Sequence, residues 1–451
     1  MDIQSKKVLV IGAARSGIKT TEFLLSKGAT VYLNDQKDNP EIPDNFIAHE
    51  NFHSIFGLEP DISQISPDFI VVSPAVPLDK EYLILAKEKG IEIISELELS
   101  YRFAKAPFIG ITGTNGKTTT TSLIGELFNI AGFKTLIGGN IGDPLVTEVE
   151  KIPEDGVIVA EISSFQLEGI KEFAPQVAII TNLTPDHMDR HKTMENYLEA
   201  KARIFENQTE NDFLILNWDD QVIRETGKKS KGKVLYFSRK EKIQEGAFLE
   251  DGFLTVSFNG EKEKIIKPEE IFIKGGHNLE NSMCGVLAGI VKGVSPELIA
   301  QVLRDFKGVE HRLEFSGEFD GVTYVNDSKG TNPDASLKAL ASYDQPIVII
   351  AGGRNKGNSF DEYAQVIKEK CKFAVLIGES KTEIKEELDK IGFTNYFLTD
   401  DYEEAILKTV KISEKGDIVL LSPACASWDM FPNYEIRGNQ FKELVKKYNE
   451  K

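Results

Sequence analysis

Nine short apolar runs recur along this chain: VLVIG, FIVVS, FIGITG, VIVAEIS, VAIITN, FLILN, VIIAGG, VLIG and IVLLS. Each is rich in β-branched residues, each stops at Gly, Ser or Asn, and most are followed by a helical pattern. A run that is apolar on both faces has to be buried on both faces, which a parallel sheet covered by helices provides. The chain is therefore read as α/β. Ligands of such sheets bind beyond the carboxyl ends of the strands, so chemistry is expected just after each run.

At 451 residues the chain exceeds what one hydrophobic core usually organises. Changes of texture near Glu96–Pro107 and near Gly308 divide it into three expected domains: 1–100, 101–308 and 309–451. The first is read as Rossmann-like, the second as a P-loop mononucleotide-binding domain and the third as a Rossmann-like α/β domain. Between about 220 and 275 the pattern changes to alternating short strands with charged turns, a less regular β-rich part of the middle domain.

Charge and cysteine usage narrow the function classes. With 53 basic and 71 acidic residues the net charge is -18, which argues against nucleic acid as the main partner. Cys284, Cys371 and Cys425 are odd in number and far apart, fitting neither a disulfide framework nor a paired zinc motif. Val8–Ile11 is too short for a signal-peptide core, and no run approaches the roughly 20 apolar residues that span a bilayer. A cytoplasmic monomer without a membrane partner is the expectation.

The segment VLVIGAARSGIKTTEFLLSKGATVYLND reads as strand, tight turn, helix and second strand. It departs from the GxGxxG dinucleotide fingerprint because Ala14 takes the second glycine position, which weakens a NAD reading. Backbone amides at the helix start can still receive a diphosphate, with Arg15 and Ser16 beside them and Asp35 placed to accept from a sugar or base. A plain structural turn is the alternative. Ser73, in SPAVP after another strand, is placed to line the same crevice.

The strongest single motif is FIGITGTNGKTTTTSLIGELFNIAG. A strand runs into Gly113, Thr114, Asn115, Gly116, Lys117, Thr118 and Thr119, and then into a helix with an apolar face. Glycines let backbone N–H groups curl around a phosphate, Lys117 supplies a charge, and Thr118 offers a hydroxyl to Mg²⁺. This order of elements points to a nucleoside triphosphate, with a structural turn as the alternative. Glycine falls at 110, one residue away from the position that the GxxxxGK form requires.

GTNGKTTT resembles the phosphate loop of the Mur ligase family, which includes the folylpolyglutamate synthases, and the resemblance extends over essentially the whole chain. GGNIG, EISSFQL, TNLTPDHMDRH, YLEAKARIF, GGHNLEN, EHRLE, NDSKGTNPDA, AGGRNKG and SPACASWDMFPNYEIRGNQF are further blocks of it. Within the family, ISSFQL, DSKGTN and SPACASWDMF resemble the members that add D-glutamate. The DNPR motif typical of members adding meso-diaminopimelate does not occur. Rival readings are another amide ligase of the family with a different amino acid, and a P-loop NTPase or kinase.

The resemblance implies that ATP phosphorylates the carboxylate of UDP-N-acetylmuramoyl-L-alanine and that D-glutamate displaces phosphate from the acyl phosphate. It implies catalytic and Mg²⁺-binding roles for Lys117, Thr118, Glu161, His187 and Lys201, with Lys201 carbamylated. Lys201 falls on an expected helix, Glu195–Glu206, among apolar neighbours; burial would lower its pKa, and a snorkelling surface lysine is the alternative. The resemblance further implies Asn278, Arg312 and Asp327 at the ATP base and ribose, and Asn140 and Ser163 at the muramoyl-alanine part. For D-glutamate it implies Lys329, Thr331 and Lys356 at one carboxylate, with Ser427 and Tyr434 at the other. Arg354 and Tyr434 depart from the pattern of one member of the family, where an aspartate and a phenylalanine stand.

Overall fold

All nine apolar runs form strands in the computed structural model, which describes residues 1–449. Their Val, Ile and Leu side chains are buried on both faces, as parallel pairing under helices requires. Three sheets result, with five, nine and six strands.

The first sheet holds β1 (Lys7–Ile11), β2 (Thr30–Asp35), β3 (Phe52–Phe56), β4 (Phe69–Val72) and β5 (Glu92–Ser95), in the order β3-β2-β1-β4-β5. All pairs are parallel. The order reverses at β1, whose carboxyl end carries the glycine turn, so the turn opens into the crevice between β1 and β4.

The second sheet holds β6 (Phe108–Thr112), β7 (Thr135–Gly139), β8 (Val157–Glu161), β9 (Val177–Ile180), β10 (Phe213–Asn217), β11 (Lys233–Ser238), β12 (Gly246–Glu250), β13 (Phe253–Phe258) and β14 (Glu261–Ile266). Its order is β14-β13-β12-β11-β10-β9-β6-β8-β7, parallel from β7 through β12 and antiparallel across β12, β13 and β14. The irregular stretch read near 220–275 is thus an extension of this sheet. β14 closes it as an edge strand whose first four residues, Glu, Lys, Glu and Lys, are exposed, a charged edge that discourages pairing with another chain.

The third sheet holds β15 (Glu314–Phe319), β16 (Val322–Asn326), β17 (Ile347–Gly352), β18 (Cys371–Ile377), β19 (Tyr396–Thr399) and β20 (Ile418–Leu421), in the order β15-β16-β20-β17-β18-β19. Only β15–β16 is antiparallel.

The chain forms two compact units: Met1–Pro268 with Glu280–Arg304, and Glu269–Leu279 with the residues from Asp305 onward. The first unit contains the first two sheets, and helix Glu96–Phe103 shows why they belong together. Ser95 caps it, its Oγ accepting from Glu98 N. Leu97 and Leu99 are fully buried, Leu97 in the core of the second sheet and Leu99 in that of the first. Glu98 is 0% exposed, and its carboxylate accepts from the backbone N–H groups of Lys171, Glu172 and Phe173 at 2.8–3.1 Å. Arg102 Nε donates to the same carboxylate at 2.8 Å while its two terminal nitrogens grip Glu92. Glu96, also buried, accepts from Ser100 Oγ and Val146 N, and burial raises its pKa. Glu98 is tolerated at such depth because both of its oxygens accept hydrogen bonds.

Glu98→Ala would leave three amides and one face of Arg102 without their acceptor. It is expected to lower the free energy of unfolding by about 3 kcal/mol in urea titrations. A loss below about 0.5 kcal/mol, the range of ordinary surface sites, would show that this carboxylate does not hold the unit together.

Candidate active site

The phosphate loop forms where β6 ends. Gly113 has φ +141°, and a Cβ there would sit 2.0 Å from Thr181 Oγ1. Gly116 has φ +82° at the cap of helix Lys117–Ile130, and a Cβ there would lie 2.4 Å from Asn281 Oδ1. Both positions therefore demand glycine. The loop is held by the residues that follow β9. Thr181 Oγ1 and Asn182 Nδ2 donate to Asn115 O at 2.6 and 2.9 Å, and Asn115 N donates to Asn182 Oδ1 at 2.9 Å. Thr114 N donates to Asn182 O, and Thr114 Oγ1 donates to Thr184 O. Thr118 and Thr119 lie in the first helical turn, where amides point outward. Lys117 Nζ donates to the carbonyls of Gly113 and Thr114 at 3.0 and 2.7 Å.

Lys201 converges on the same carbonyl. The expected helix is shorter than its sequence pattern, running Met194–Ala202 before a tighter turn, Arg203–Phe205. It places Lys201 at 1% exposure, with Nζ donating to Gly113 O at 2.8 Å and lying 4.4 Å from the centre of the Tyr197 ring. Burial, seconded by nearby Lys117, holds its pKa well below the ordinary lysine value, while Asp186 and Glu161 pull the other way. Of the two sequence alternatives, the buried amine is the one observed.

Glu161 closes β8 at 2% exposure. Its Oε1 accepts from Asn140 Nδ2 at 2.9 Å, whereas Oε2 is buried with no hydrogen-bond partner. An anionic oxygen left so is costly unless a cation or donor arrives. Among the described residues no group of three His, Cys, Asp or Glu side chains is ready to hold a metal. A cation at Glu161 would thus complete its shell from phosphates, the Thr118 hydroxyl and water, the habit of Mg²⁺. His187 has φ +54°, its half-exposed ring lying 3.5 Å from Asp186 and edge-on to Phe165 at 5.0 Å.

At the end of β1, Gly12 has φ +96° and a Cβ would lie 2.7 Å from Ser73 Oγ, which donates to Gly12 O at 3.3 Å. Asp35 accepts from Ala13 N at 2.7 Å and Lys37 N at 2.9 Å, bracing the turn. A cleft of about 280 Å³ opens there, lined by Gly12, Asp35, Pro77 and Lys80 among others. Arg15 is exposed and paired with Asp143 at 2.6 Å, with Ser16 beside it in the first turn of helix Arg15–Ser26. Ser163 caps helix Ser164–Glu168 in a reciprocal box with Gln166, and Asn140 is exposed apart from its bond to Glu161.

The second unit has a cavity of about 350 Å³ lined by Asn278, Arg312, Phe272, Phe315 and Tyr343 among others. Asp327 is fully buried 4.0 Å from Arg312, accepting from Ser422 Oγ and Leu313 N. Burial pushes its pKa up to about 6, against the pull of Arg312 and Ser422. Lys329 and Thr331 lie on the next loop, the Lys329 ammonium 5.5 Å from the Tyr434 ring. Ser427 is buried, Lys356 exposed. Arg354 is engaged by Glu379 through two bonds of 2.9 and 2.7 Å.

Sequence reasoning assigned no role to Thr181, Asn182 or Tyr197, although they sit in quoted blocks, and it missed Arg437. That guanidinium is buried and donates to Ser328 Oγ, Ser328 O and Cys425 O, tying the Asp327–Thr331 loop to the loop bearing Ser427.

Three family descriptions match the chain: "Mur ligase MurD-like, N-terminal domain" over residues 6–95, "Mur ligase middle domain" over 111–289, and "Mur ligase, glutamate ligase domain" over 311–425. The chain is 49% identical over 447 residues to a UDP-N-acetylmuramoylalanine--D-glutamate ligase of Pelotomaculum thermopropionicum, covering 98% of each. It is 47% identical over 450 residues to one of Clostridioides difficile, covering 99% of each. Its fold resembles that of a MurF ligase from Thermotoga maritima in complex with ADP, with a TM-score of 0.62 at 18% identity, covering 100% of this chain and 96% of that one. A UDP-N-acetylmuramate-alanine ligase from Thermotoga maritima gives 0.61 at 19%, covering 98% and 100%.

Asp327 generates a pH test. Between about pH 4 and pH 6 the unfolded chain has released this proton while the folded protein still holds it. Its contribution to stability is therefore full below that window and is lost as pH rises through it. Relative to Asp327→Asn, the wild-type urea midpoint is expected to fall across the window; a constant difference would contradict the raised pKa.

Proposed function

The chain belongs to the Mur ligase family, and we propose that it joins D-glutamate to UDP-N-acetylmuramoyl-L-alanine with ATP, giving ADP and phosphate in the assembly of peptidoglycan precursors. The observation that carries this is identity of 49% and 47% over almost the whole length to relatives named for that reaction. The geometry supports it: a phosphate loop, a buried carboxylate with an open oxygen and a buried amine meet at the carboxyl ends of the neighbouring strands β6 and β8.

A substrate carboxylate oxygen attacks the γ-phosphorus of ATP and ADP leaves. The amine of D-glutamate, having lost a proton, attacks the acyl carbon, and phosphate leaves carrying one oxygen of the former carboxylate. Amides of Gly116–Thr119 and the Lys117 ammonium hold the phosphates, work that is mostly positioning and charge neutralisation. Glu161 Oε2 and the Thr118 hydroxyl would hold Mg²⁺, with His187 and Lys201 serving a second ion; such ions neutralise charge on the phosphoryl oxygens. The unprotonated Lys201 amine would add carbon dioxide, and the resulting carbamate would provide the anion missing around it.

Arg15, Ser16, Asp35 and Ser73 are assigned to the UDP end of the substrate. Asn140 and Ser163 take the muramoyl-alanine part. Asn278, Arg312 and Asp327 take the base and ribose of ATP. Lys329, Thr331, Lys356, Ser427 and Tyr434 take D-glutamate, while Arg354, already paired with Glu379, is left out of that set. The three family matches support domains divided near 100 and 308. A cytoplasmic setting follows from the nucleotide substrates, and no helix among the described residues is long and apolar enough to cross a membrane.

Phosphate release with ATP, Mg²⁺ and UDP-N-acetylmuramoyl-L-alanine is expected with D-glutamate and absent with L-glutamate, L-lysine, meso-diaminopimelate or no amino acid. Release without any amino acid would favour an NTPase, and release with a different one would reassign the specificity. Enzyme prepared free of carbon dioxide is expected to regain activity on adding bicarbonate; indifference to bicarbonate would remove the carbamate.

A further inference from the structure

His191 is buried at 6% exposure, on a short helical turn, Met188–His191, that starts from the strained His187. One face of its ring stacks on Phe165, with centroids 5.4 Å apart and planes at 15°. It also packs against Tyr197 at 5.0 Å and 36°. Its Nε2 shares a hydrogen bond of 2.9 Å with Ser164 Oγ, which fixes the ring's rotation. Its backbone is pinned as well, N donating to His187 O at 3.0 Å and O accepting from Asn196 Nδ2 at 2.9 Å. Three elements thus meet at one imidazole: helix Ser164–Glu168, the turn itself and helix Met194–Ala202.

Each of its two ring neighbours touches a residue of the candidate site. Phe165 receives the edge of His187 at 5.0 Å and is covered by the Arg190 guanidinium at 4.8 Å, which Glu168 holds at 2.5 Å. Tyr197 lies against the Lys201 ammonium at 4.4 Å, and its hydroxyl meets Thr114 Oγ1 at 3.4 Å. We propose that His191 is a positioning residue for the ligase reaction, holding His187 and Lys201 at their working separation through the two aromatic rings it packs against.

A histidine suits this place because it is flat enough to stack and has a polar edge for the buried Ser164 hydroxyl. Alanine would leave Phe165 and Tyr197 without their common wall. Phenylalanine would keep the wall and lose only the hydrogen bond. The inference rests on the reading that His187 and Lys201 serve a metal ion bound with the nucleotide. Residues that orient metal ligands typically change affinity or activity by about 10–100-fold when removed.

Wild-type enzyme is assayed first, since absence of D-glutamate-dependent phosphate release would sink the functional reading itself and leave His191 aside. With that release in hand, Mn²⁺ binding in the presence of ADP is measured by electron paramagnetic resonance, without turnover. His191→Ala is expected to weaken Mn²⁺ binding and lower kcat by about tenfold or more, while KM for the UDP substrate stays within about twofold. His191→Phe is expected to recover most of both losses, and Ser164→Ala to show a smaller loss of the same kind. Unchanged Mn²⁺ binding and kcat per folded molecule in His191→Ala, with only the melting temperature lowered, would overturn the proposal. Should His191→Ala fail to fold, Ser164→Ala decides: weaker Mn²⁺ binding supports the proposal and unchanged binding overturns it.

Discussion

The carbonyl oxygen of Gly113 accepts hydrogen bonds from two lysines, Lys117 at 3.0 Å and Lys201 at 2.8 Å. Two ammonium groups sharing one acceptor repel each other, and the pull of Asp186 and Glu161 on Lys201 only partly offsets this. Burial first, and then the charge of Lys117 beside the shared carbonyl, favour loss of the proton from the buried amine. Everything nearby maintains this geometry. Gly113 takes a conformation closed to other residues, and the Thr181–Asn182 pair after β9 fixes the loop from the far side. The long parallel sheet then sets Glu161 and the loop on neighbouring strands.

Glu161 shows the same economy of purpose. Half of its carboxylate is satisfied by Asn140 and the other half by nothing. A buried, unpaired anionic oxygen destabilises the fold, and such costs concentrate where ligands supply the missing partner. The structural carboxylates are the counterexample. Glu98 is as deep, yet its oxygens are filled by three amides and an arginine, and it holds helix Glu96–Phe103 in place. Comparing the two separates a carboxylate whose oxygens are all engaged in building the unit from one that keeps an oxygen without a partner.

Much of the fold was legible because it is written locally. The apolar runs located nine of the twenty strands, and the TGTNGKTTT segment showed the phosphate loop even with its glycine one position out of register. The burial of Lys201 was half legible, from apolar neighbours at helical spacing, although the helix ends at Ala202. What escaped depends on partners far away in sequence. Glu98 finds its amides 73 to 75 residues on, and Arg437 reaches back 109 residues to Ser328. No periodicity records such pairs. Asp35 braces the glycine turn through Ala13 N and Lys37 N, contacts the sequence does not announce, because a strand-end aspartate has the same signature whether it holds a turn or accepts from a sugar or base.

Transfer of oxygen from substrate to phosphate tests the central claim most directly. UDP-N-acetylmuramoyl-L-alanine labelled with oxygen-18 in its carboxylate would be turned over with ATP and D-glutamate, and the phosphate examined by mass spectrometry. Activation as an acyl phosphate requires one labelled oxygen in each phosphate released. Unlabelled phosphate, formed at the same rate as the amide, would contradict it and require activation that does not pass through an acyl phosphate.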